Sequence, residues 1–429
     1  ILNAANALIA CNSGRLGKEL WTEGEDGEPI KLYAAYNDLD EARYIVDTIQ
    51  QFIERGHARS DMAILYRSNA QSRVLEEALM RAGLPYRVYG GMRFFERAEI
   101  KHALAYLRLI ANRADDASFE RVVNMPTRGI GERTVQAVRD EARHSGVSMW
   151  QAAHTLVEQK LLNARAVNAL KYFLDLIDSM AAACDGIELR EQVEHVIHAS
   201  TLVDSYRKEK GEKAQMRIEN LEELVSAARQ FEHEEEGLDD LGAFLVHAAL
   251  EAGEGQAAEH EDPVQLMTLH TAKGLEFDIV FLSGLEEGLF PHRMSMDEPG
   301  RLEEERRLCY VGMTRARKNL YLTYAEVRRL HGSETYTRAS RFLGEIPREY
   351  IDEVRVQSAA SPGRYSASPA SMSTNESGFA LGQRVKHAKF GEGVVMNCEG
   401  SGAHARVQVN FDGVGSKWLV VAYANLQAL

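Results

Sequence analysis

The run VQLMTLHTAKGLEFDIVFLSG, residues 264–284, decides the fold of this chain. Two short apolar stretches, VQLMTLH and FDIVFLSG, read as strands on either side of a polar turn. Further on, LCYVGMTRARKNLYL (308–322) leads from a helix at about 302–317, through a cation-rich turn, into the strand-like NLYLTYA at 319–325. Upstream, IKLYAAY (30–36), MAILY (62–66) and YRVYG (86–90) alternate with helical stretches. In DLDEARYIVDTIQQFI (38–53), Leu39, Ala42, Ile45, Val46, Ile49 and Phe52 share one helical face. This β-α-β-α-β order predicts an α/β fold, a parallel sheet with helices on its faces.

The alternation stops at about 97 and resumes at 264, and everything between reads helical. An all-helical domain inserted into one sheet explains this, with its two ends close together. The expected division is 1–90 and 258–356 for the α/β lobe, 91–257 for the insertion, 357–378 for a linker and 379–429 for a terminal unit. The linker, QSAASPGRYSASPASMSTNESG, has little to bury and is expected to be disordered. Beyond it, RVKHAKF, GVVMN, ARVQVNF and SKWLVVAY alternate at period two between glycine-rich turns, the pattern of a small SH3-like barrel.

At 429 residues, 45% hydrophobic and 27% charged, the composition is that of a globular protein of several domains. No apolar run reaches membrane-spanning length. Four scattered cysteines, Cys11, Cys184, Cys309 and Cys398, offer no zinc spacing and no disulfide framework, which points to a reducing cytoplasm. The net charge of −14 is concentrated: residues 232–262 hold eleven carboxylates and no Lys or Arg. The remainder is nearly balanced, so local basic surfaces are possible without whole-molecule steering. The acidic run itself reads as a solvated helix face and loop, with DNA mimicry or an autoinhibitory contact as the rival.

The chemistry gathers in the two runs quoted first. Ligands of open α/β sheets sit beyond the carboxyl ends of strands, which places Thr268, His270 and Thr271 to meet one. Lys273 and Gly274 form a turn, and Glu276 leads into the next strand, where a carboxylate can accept hydrogen bonds from ribose hydroxyls. His270 can contact phosphate or stack on a base. The rival reading is a polar strand-to-strand loop with a solvated Lys and Glu. In the second run, Arg315 follows the small Gly312 and Thr314. Arginine suits the spreading charge of a transferring phosphoryl group, against the rival of a helix surface with ion pairs, which fits Glu303 and Arg307. Arg315 is expected to project into a cleft on the face that bears His270 and Glu276. No G-x-x-x-x-G-K-[ST] loop is present. Gly17-Lys18 is followed by Glu19, so the chain reads as half of a nucleotide-driven machine. It opens at Ile1 inside a helical pattern, ILNAANALI, without an N-cap, as a cut within a longer protein would.

Within the insertion, MPTRGIGERTVQAV (125–138) carries a Gly-hydrophobic-Gly hairpin, Gly129-Ile130-Gly131, with Val135 and Val138 as helix-packing positions. Such a hairpin turns backbone N–H groups toward a phosphate at a helix N-terminus, and its contacts with duplex DNA are sequence-blind. The rival is a simple helix–helix turn. Phe94 and Phe95, among Arg93, Arg97 and Lys101, are expected in the core rather than stacked on bases. The terminal barrel has five basic residues (Arg384, Lys386, Lys389, Arg406, Lys417) against Glu392, Glu399 and Asp412. Phe390, Phe411, Trp418 and Tyr423 are expected mostly in its core.

TLHTAKGLEF (268–277), GLFPHR (288–293) and EEERRLCYVGMTRAR (303–317), in this order, resemble motifs V and VI of the UvrD/PcrA/Rep group of superfamily 1 DNA helicases, and the likeness runs over essentially the whole chain. The resemblance implies a RecA-like lobe, a duplex-gripping insertion that swivels and a Tudor-like barrel. It implies that Arg315 reaches the γ-phosphate of ATP, with Glu276 on the ribose and Gly274 beside it. Thr268, His270, His292, Arg67 and Asn69 would line the single-stranded DNA, and Gly129, Ile130 and Gly131 the duplex at a junction. It also implies 3′-to-5′ movement in DNA repair, with repair proteins or RNA polymerase as partners of the barrel and no membrane. The phosphate loop and the Mg²⁺ ligands are expected upstream of Ile1. Two other readings stand beside it: a non-catalytic DNA-binding or adaptor protein, and a helicase–nuclease subunit, for which the barrel lacks clustered carboxylates.

Overall fold

The computed structural model describes residues 1–13, 21, 27–209, 211–233, 239–253, 261–296, 300–330, 333–354, 379, 382–387, 390–399, 406–411, 415–424 and 426–428. The linker at 357–378, the Gly17-Lys18 pair, Lys389, Asp412 and much of the acidic run lie outside these residues. The chain divides into two compact units, one of Ile1–Gly91, Ala257–Arg328 and Glu334–Leu429, the other of Met92–Gln256 with Arg329–Ser333.

The first unit begins with α1 (Leu2–Ala10), β1 (Ile30–Asn37), α2 (Asp38–Glu54), β2 (Met62–Tyr66), α3 (Ser72–Arg81) and β3 (Tyr86–Val88). Helix α2 starts where the Asn37 side chain accepts from the Asp40 N–H at 2.8 Å, with Asp38, Asp40 and Glu41 in its first turn.

The second unit follows as α4 (Ala98–Ala111), α5 (Asp116–Val122), α6 (Glu132–Ser145), α7 (Met149–Glu158), α8 (Ala164–Cys184), α9 (Leu189–Ala199), α10 (Leu202–Glu209), α11 (Glu212–Gln230) and α12 (Asp240–Gly253). These helices enclose a core of their own. Phe94, Phe95, Phe119, Phe173, Leu221 and Phe244 are buried in it, so the two phenylalanines of the FFE segment are packing residues, as expected.

The chain then returns to the first unit with β4 (Val264–Thr268), β5 (Phe277–Leu282), α13 (Arg293–Met296), α14 (Arg301–Met313), β6 (Ala316–Leu330), β7 (Ser333–Tyr336), α15 (Arg341–Gly344) and β8 (Ile351–Glu353). The sheet order is β3-β4-β2-β5-β6-β1-β8, with β7 pairing β6 off that path. All pairs along the path are parallel. Strands β3 and β4, which lead out to the second unit and back from it, are hydrogen-bonded neighbours.

Alternation within the central strands explains why they read as continuous apolar runs. Met62, Ile64 and Tyr66 of β2 and Ile279 and Phe281 of β5 point into a core under α2 and α3. Ala63, Leu65, Val280 and Leu282 point into another, shared with α1 and α14. A parallel sheet covered on both faces needs apolar side chains at every position. Each such Leu, Ile or Phe contributes about 1.5–3 kcal/mol when fully buried.

The terminal barrel comprises β9 (Arg384–His387), β10 (Gly391–Glu399), β11 (Arg406–Phe411), β12 (Gly415–Val420), α16 (Val421–Ala424) and β13 (Gln427–Ala428), an antiparallel sheet in the order β12-β11-β10-β9-β13. Val385, Val395, Val407, Val409 and Phe411 form its core. Phe390 and Trp418 are only half-buried, and Arg406 lies 5.9 Å over the Trp418 ring. Among the described residues, no helix is long and apolar enough to cross a membrane.

Candidate functional site

Register assigns each candidate residue of the lobe to one edge of the sheet. Tyr66 pairs with Thr268, and Leu65 with Leu282, so β2, β4 and β5 end together. Arg67 and Asn69 follow β2, His270 follows β4, and the loop bearing His292 follows β5. These residues, with Thr268 at the strand end itself, therefore lie at the carboxyl edge, where α/β sheets bind ligands.

The turn after β4 is tightly wound. Thr271 and Ala272 donate backbone N–H groups to the Thr268 carbonyl at 3.0 and 3.1 Å, while Leu269 is buried and bonds to the Tyr66 carbonyl at 2.9 Å. His270 is left exposed. After β2, the Arg67 and Ser68 N–H groups both donate to Gln71 Oε1, at 3.0 and 2.8 Å, which fixes the turn that carries half-buried Asn69. The Met294 N–H donates to His292 Nδ1 at 3.4 Å.

Glu276 and Arg315 stand at the opposite end. Phe277 pairs with Ala316, and the Phe277 N–H donates to the Arg315 carbonyl at 2.9 Å. Both residues immediately precede their strands, at the amino edge. The expectation that Arg315 shares a face with both Glu276 and His270 is therefore half right: Glu276 is its neighbour, and His270 is a strand length away, roughly 20 Å. Residues 269–276 run from one edge to the other, which their closeness in sequence conceals. Gly312 of α14 packs on this connection so closely that an added Cβ would meet Leu269 Cδ2 at 2.5 Å.

Arg315 is half-buried and oriented by its own lobe. Nε donates to the Val311 carbonyl at 3.0 Å, Nη1 to the Leu275 carbonyl at 2.8 Å and Nη2 to Thr314 Oγ1 at 3.2 Å. Of the five N–H groups of a guanidinium, two take no partner among the described residues. Glu276 and Gly274 are exposed, and Gly274 adopts a φ of +88°, which turns the chain there. Next to them Asp278 grips Arg317 at 2.6 Å and Lys318 at 2.7 Å. The hydrogen bond from Lys318 holds the Asp278 carboxyl below the usual range, with Arg317 adding to it.

In the helical unit, α6 begins at Gly131 without a side-chain cap. Asn124 Oδ1 accepts the N–H groups of Arg128 and Ile130 at 2.8 and 3.1 Å, and the Ile130 side chain is buried. Ile130 thus anchors the turn. Gly129, at φ +80°, and Gly131 are the exposed members, beside the start of α6, where the Thr134 and Val135 N–H groups donate to the Gly131 carbonyl at 2.9 and 3.2 Å.

Two residues that organise the candidate sites were given no role in the sequence reading. Asn124 builds the hairpin from six residues before Ile130, within reach of a local asparagine-turn argument. Glu305, inside the EEERRLCYVGMTRAR run, receives Arg67, 238 residues away, together with His292 and Ser295, and no local signal announces that pairing.

The UvrD-like helicase C-terminal domain family matches residues 1–327, and the PcrA/UvrD tudor domain matches residues 381–427. Over its whole length the chain is 60% identical to DNA helicase II of Escherichia coli and 52% identical to that of Haemophilus influenzae, covering 60% and 59% of those proteins. It is 40% identical to the ATP-dependent DNA helicase PcrA of Bacillus subtilis, again over all of this chain and 60% of that one. The chain spans about three-fifths of the length of these relatives.

Proposed function

Because the chain belongs to the UvrD-like helicase C-terminal domain family, we propose that it serves as the arginine-bearing lobe, duplex grip and barrel of an ATP-dependent 3′-to-5′ DNA helicase acting in bacterial DNA repair. The observation that carries this reading is the two-edged lobe: Arg315 and Glu276 together at one end of the strands, the strand-facing residues at the other.

At the amino edge, Glu276 accepts hydrogen bonds from the ribose of ATP, and Gly274 allows close approach. The two uncommitted N–H groups of Arg315 meet the γ-phosphate, where charge builds as the bond breaks. Its other three donors keep the guanidinium aimed without further ordering cost. Mg²⁺, which neutralises phosphate charge in such reactions, takes its ligands outside the residues named here.

At the carboxyl edge Thr268, His270, His292, Arg67 and Asn69 hold single-stranded DNA through phosphate and stacking contacts. Gly129, Gly131 and the start of α6 hold the duplex backbone beyond the junction. The barrel recruits a repair protein or RNA polymerase, its tether raising local concentration. The protein works in the cytoplasm.

The test uses a protein in which this chain accompanies a phosphate-loop lobe. Arg315→Ala should lower the kcat of DNA-stimulated ATP hydrolysis by about 10³-fold or more, with oligonucleotide affinity nearly unchanged. Loss of DNA binding with kcat preserved would reverse the assignment.

A further inference from the structure

One buried carboxylate at the carboxyl edge has no role in the strand-facing site beyond its contacts. Glu305, in α14, is only 6% exposed at its side chain, and Arg67 15%. Arg67 Nε lies 3.1 and 3.0 Å from its two oxygens, and Arg67 Nη2 lies 2.7 Å from Oε1. Ser295 Oγ donates to Oε1 at 3.2 Å and the His292 N–H to Oε2 at 3.1 Å. Two oxygens thus serve three partners, from the turn after β2, the loop after β5 and α13, which leaves little acceptor capacity for any outside ligand.

The fork uses one edge of the Arg67 guanidinium. Among the described residues, both Nη1 N–H groups and the second Nη2 N–H take no partner, and they lie along the outer edge of the guanidinium. The backbone of Arg67 is fixed too, through Gln71 Oε1. A cation held this way at two points presents its free edge in one direction. The same carboxylate sets the backbone position of His292, so the turn after β2 and the loop after β5 share a single reference point.

Resting on the helicase reading above, we propose that Glu305 is a positioning residue for strand binding. It clamps Arg67 so that the outer edge of the guanidinium meets a phosphate of single-stranded DNA, and it holds His292 in the same frame. Glutamine at 305 would keep the shape but turn an N–H toward donors, whereas aspartate would keep the charge at shorter reach. Burial raises the Glu305 carboxyl, but the Arg67 bond and charge, with His292 and Ser295, bring it below the usual range, so the clamp stays ionised at neutral pH.

The experiment is binding of fluorescent oligothymidine to the 429-residue chain across a salt series, with thermal midpoints as a folding control. Glu305→Gln is expected to bind about tenfold more weakly, with a salt slope reduced by about 0.7, the share of one phosphate contact on a single strand. Arg67→Gln should match it, the double variant should be no weaker than either, and Glu305→Asp should recover part of the slope. A merely structural carboxylate would shift the midpoint and leave the slope alone. If Glu305→Gln does not fold, Arg67→Gln and Glu305→Asp carry the comparison. An unchanged slope in the folded variants, or losses that multiply in the double variant, overturns the clamp while the helicase reading stands. Wild-type chain that ignores oligothymidine overturns both.

Discussion

Glu305 and Arg67 give a pH signature that can be read without any ligand. The Glu305 carboxyl is depressed below its ordinary value of 4.5 in the folded protein. A group depressed on folding stabilises the native state above its unfolded value, and that contribution disappears as pH falls through the folded value. Wild-type protein should therefore lose its thermal advantage over Glu305→Gln as pH drops below about 4.5, and the two melting curves should converge. Curves that stay parallel across that range would show that the carboxylate is not ionised in its pair. At this scale the sequence was a partial guide. Residue types and turn positions picked out Arg315, Glu276 and His270, because each follows or precedes an apolar run by one or two positions. The partner of Arg67 could not be found that way, since it is set by how α14 crosses the sheet, 238 residues on.

Among elements, the hairpin before α6 shows how much one side chain can organise. Asn124 Oδ1 takes two backbone donors of the turn, the Arg128 and Ile130 N–H groups. Asn124→Ala should destabilise the helical unit by about 1–3 kcal/mol, the cost of stranding donors in a partly buried turn. It should also weaken duplex binding equally for all sequences. Calorimetric melting and binding to two unrelated duplexes measure this; a sequence-dependent loss would contradict a backbone-only grip. The strands were the most legible elements. MAILY became β2 without a shift, and VQLMTLH gave up only its last two residues to the turn. Their double-sided burial leaves every position apolar, and that is a strong pattern. Barrel aromatics were less legible: Phe411 is core, but Phe390 and Trp418 are half-buried, because a sheet this small covers only part of each ring.

For the whole molecule, the helices of the second unit surround a buried core of their own, and the chain leaves for residues 92–256 and returns from them at two neighbouring strands, β3 and β4. Residues 92–256 expressed alone should form a helical, cooperatively melting unit, checked by circular dichroism; a featureless, non-cooperative melt would show that its stability is borrowed from the lobe. The break in alternation made this unit visible in the sequence. What stayed hidden was which end of the strands each residue occupies, since six positions separate His270 from Glu276 in the chain while a whole strand separates them in space. Edge assignment comes from pairing register, and register is a property of partners rather than of a segment.

That short connection has a mechanical consequence. Parallel strands are ordinarily joined by a dozen residues or more, whereas residues 269–276 number eight, a reach of at most about 28 Å when drawn straight. Part of that length is already wound into the turn at Thr268–Ala272. Little slack is left beyond that turn, so the segment forms a short strap: a pull on the imidazole end must either open the Thr268–Ala272 turn or shift the carboxylate end.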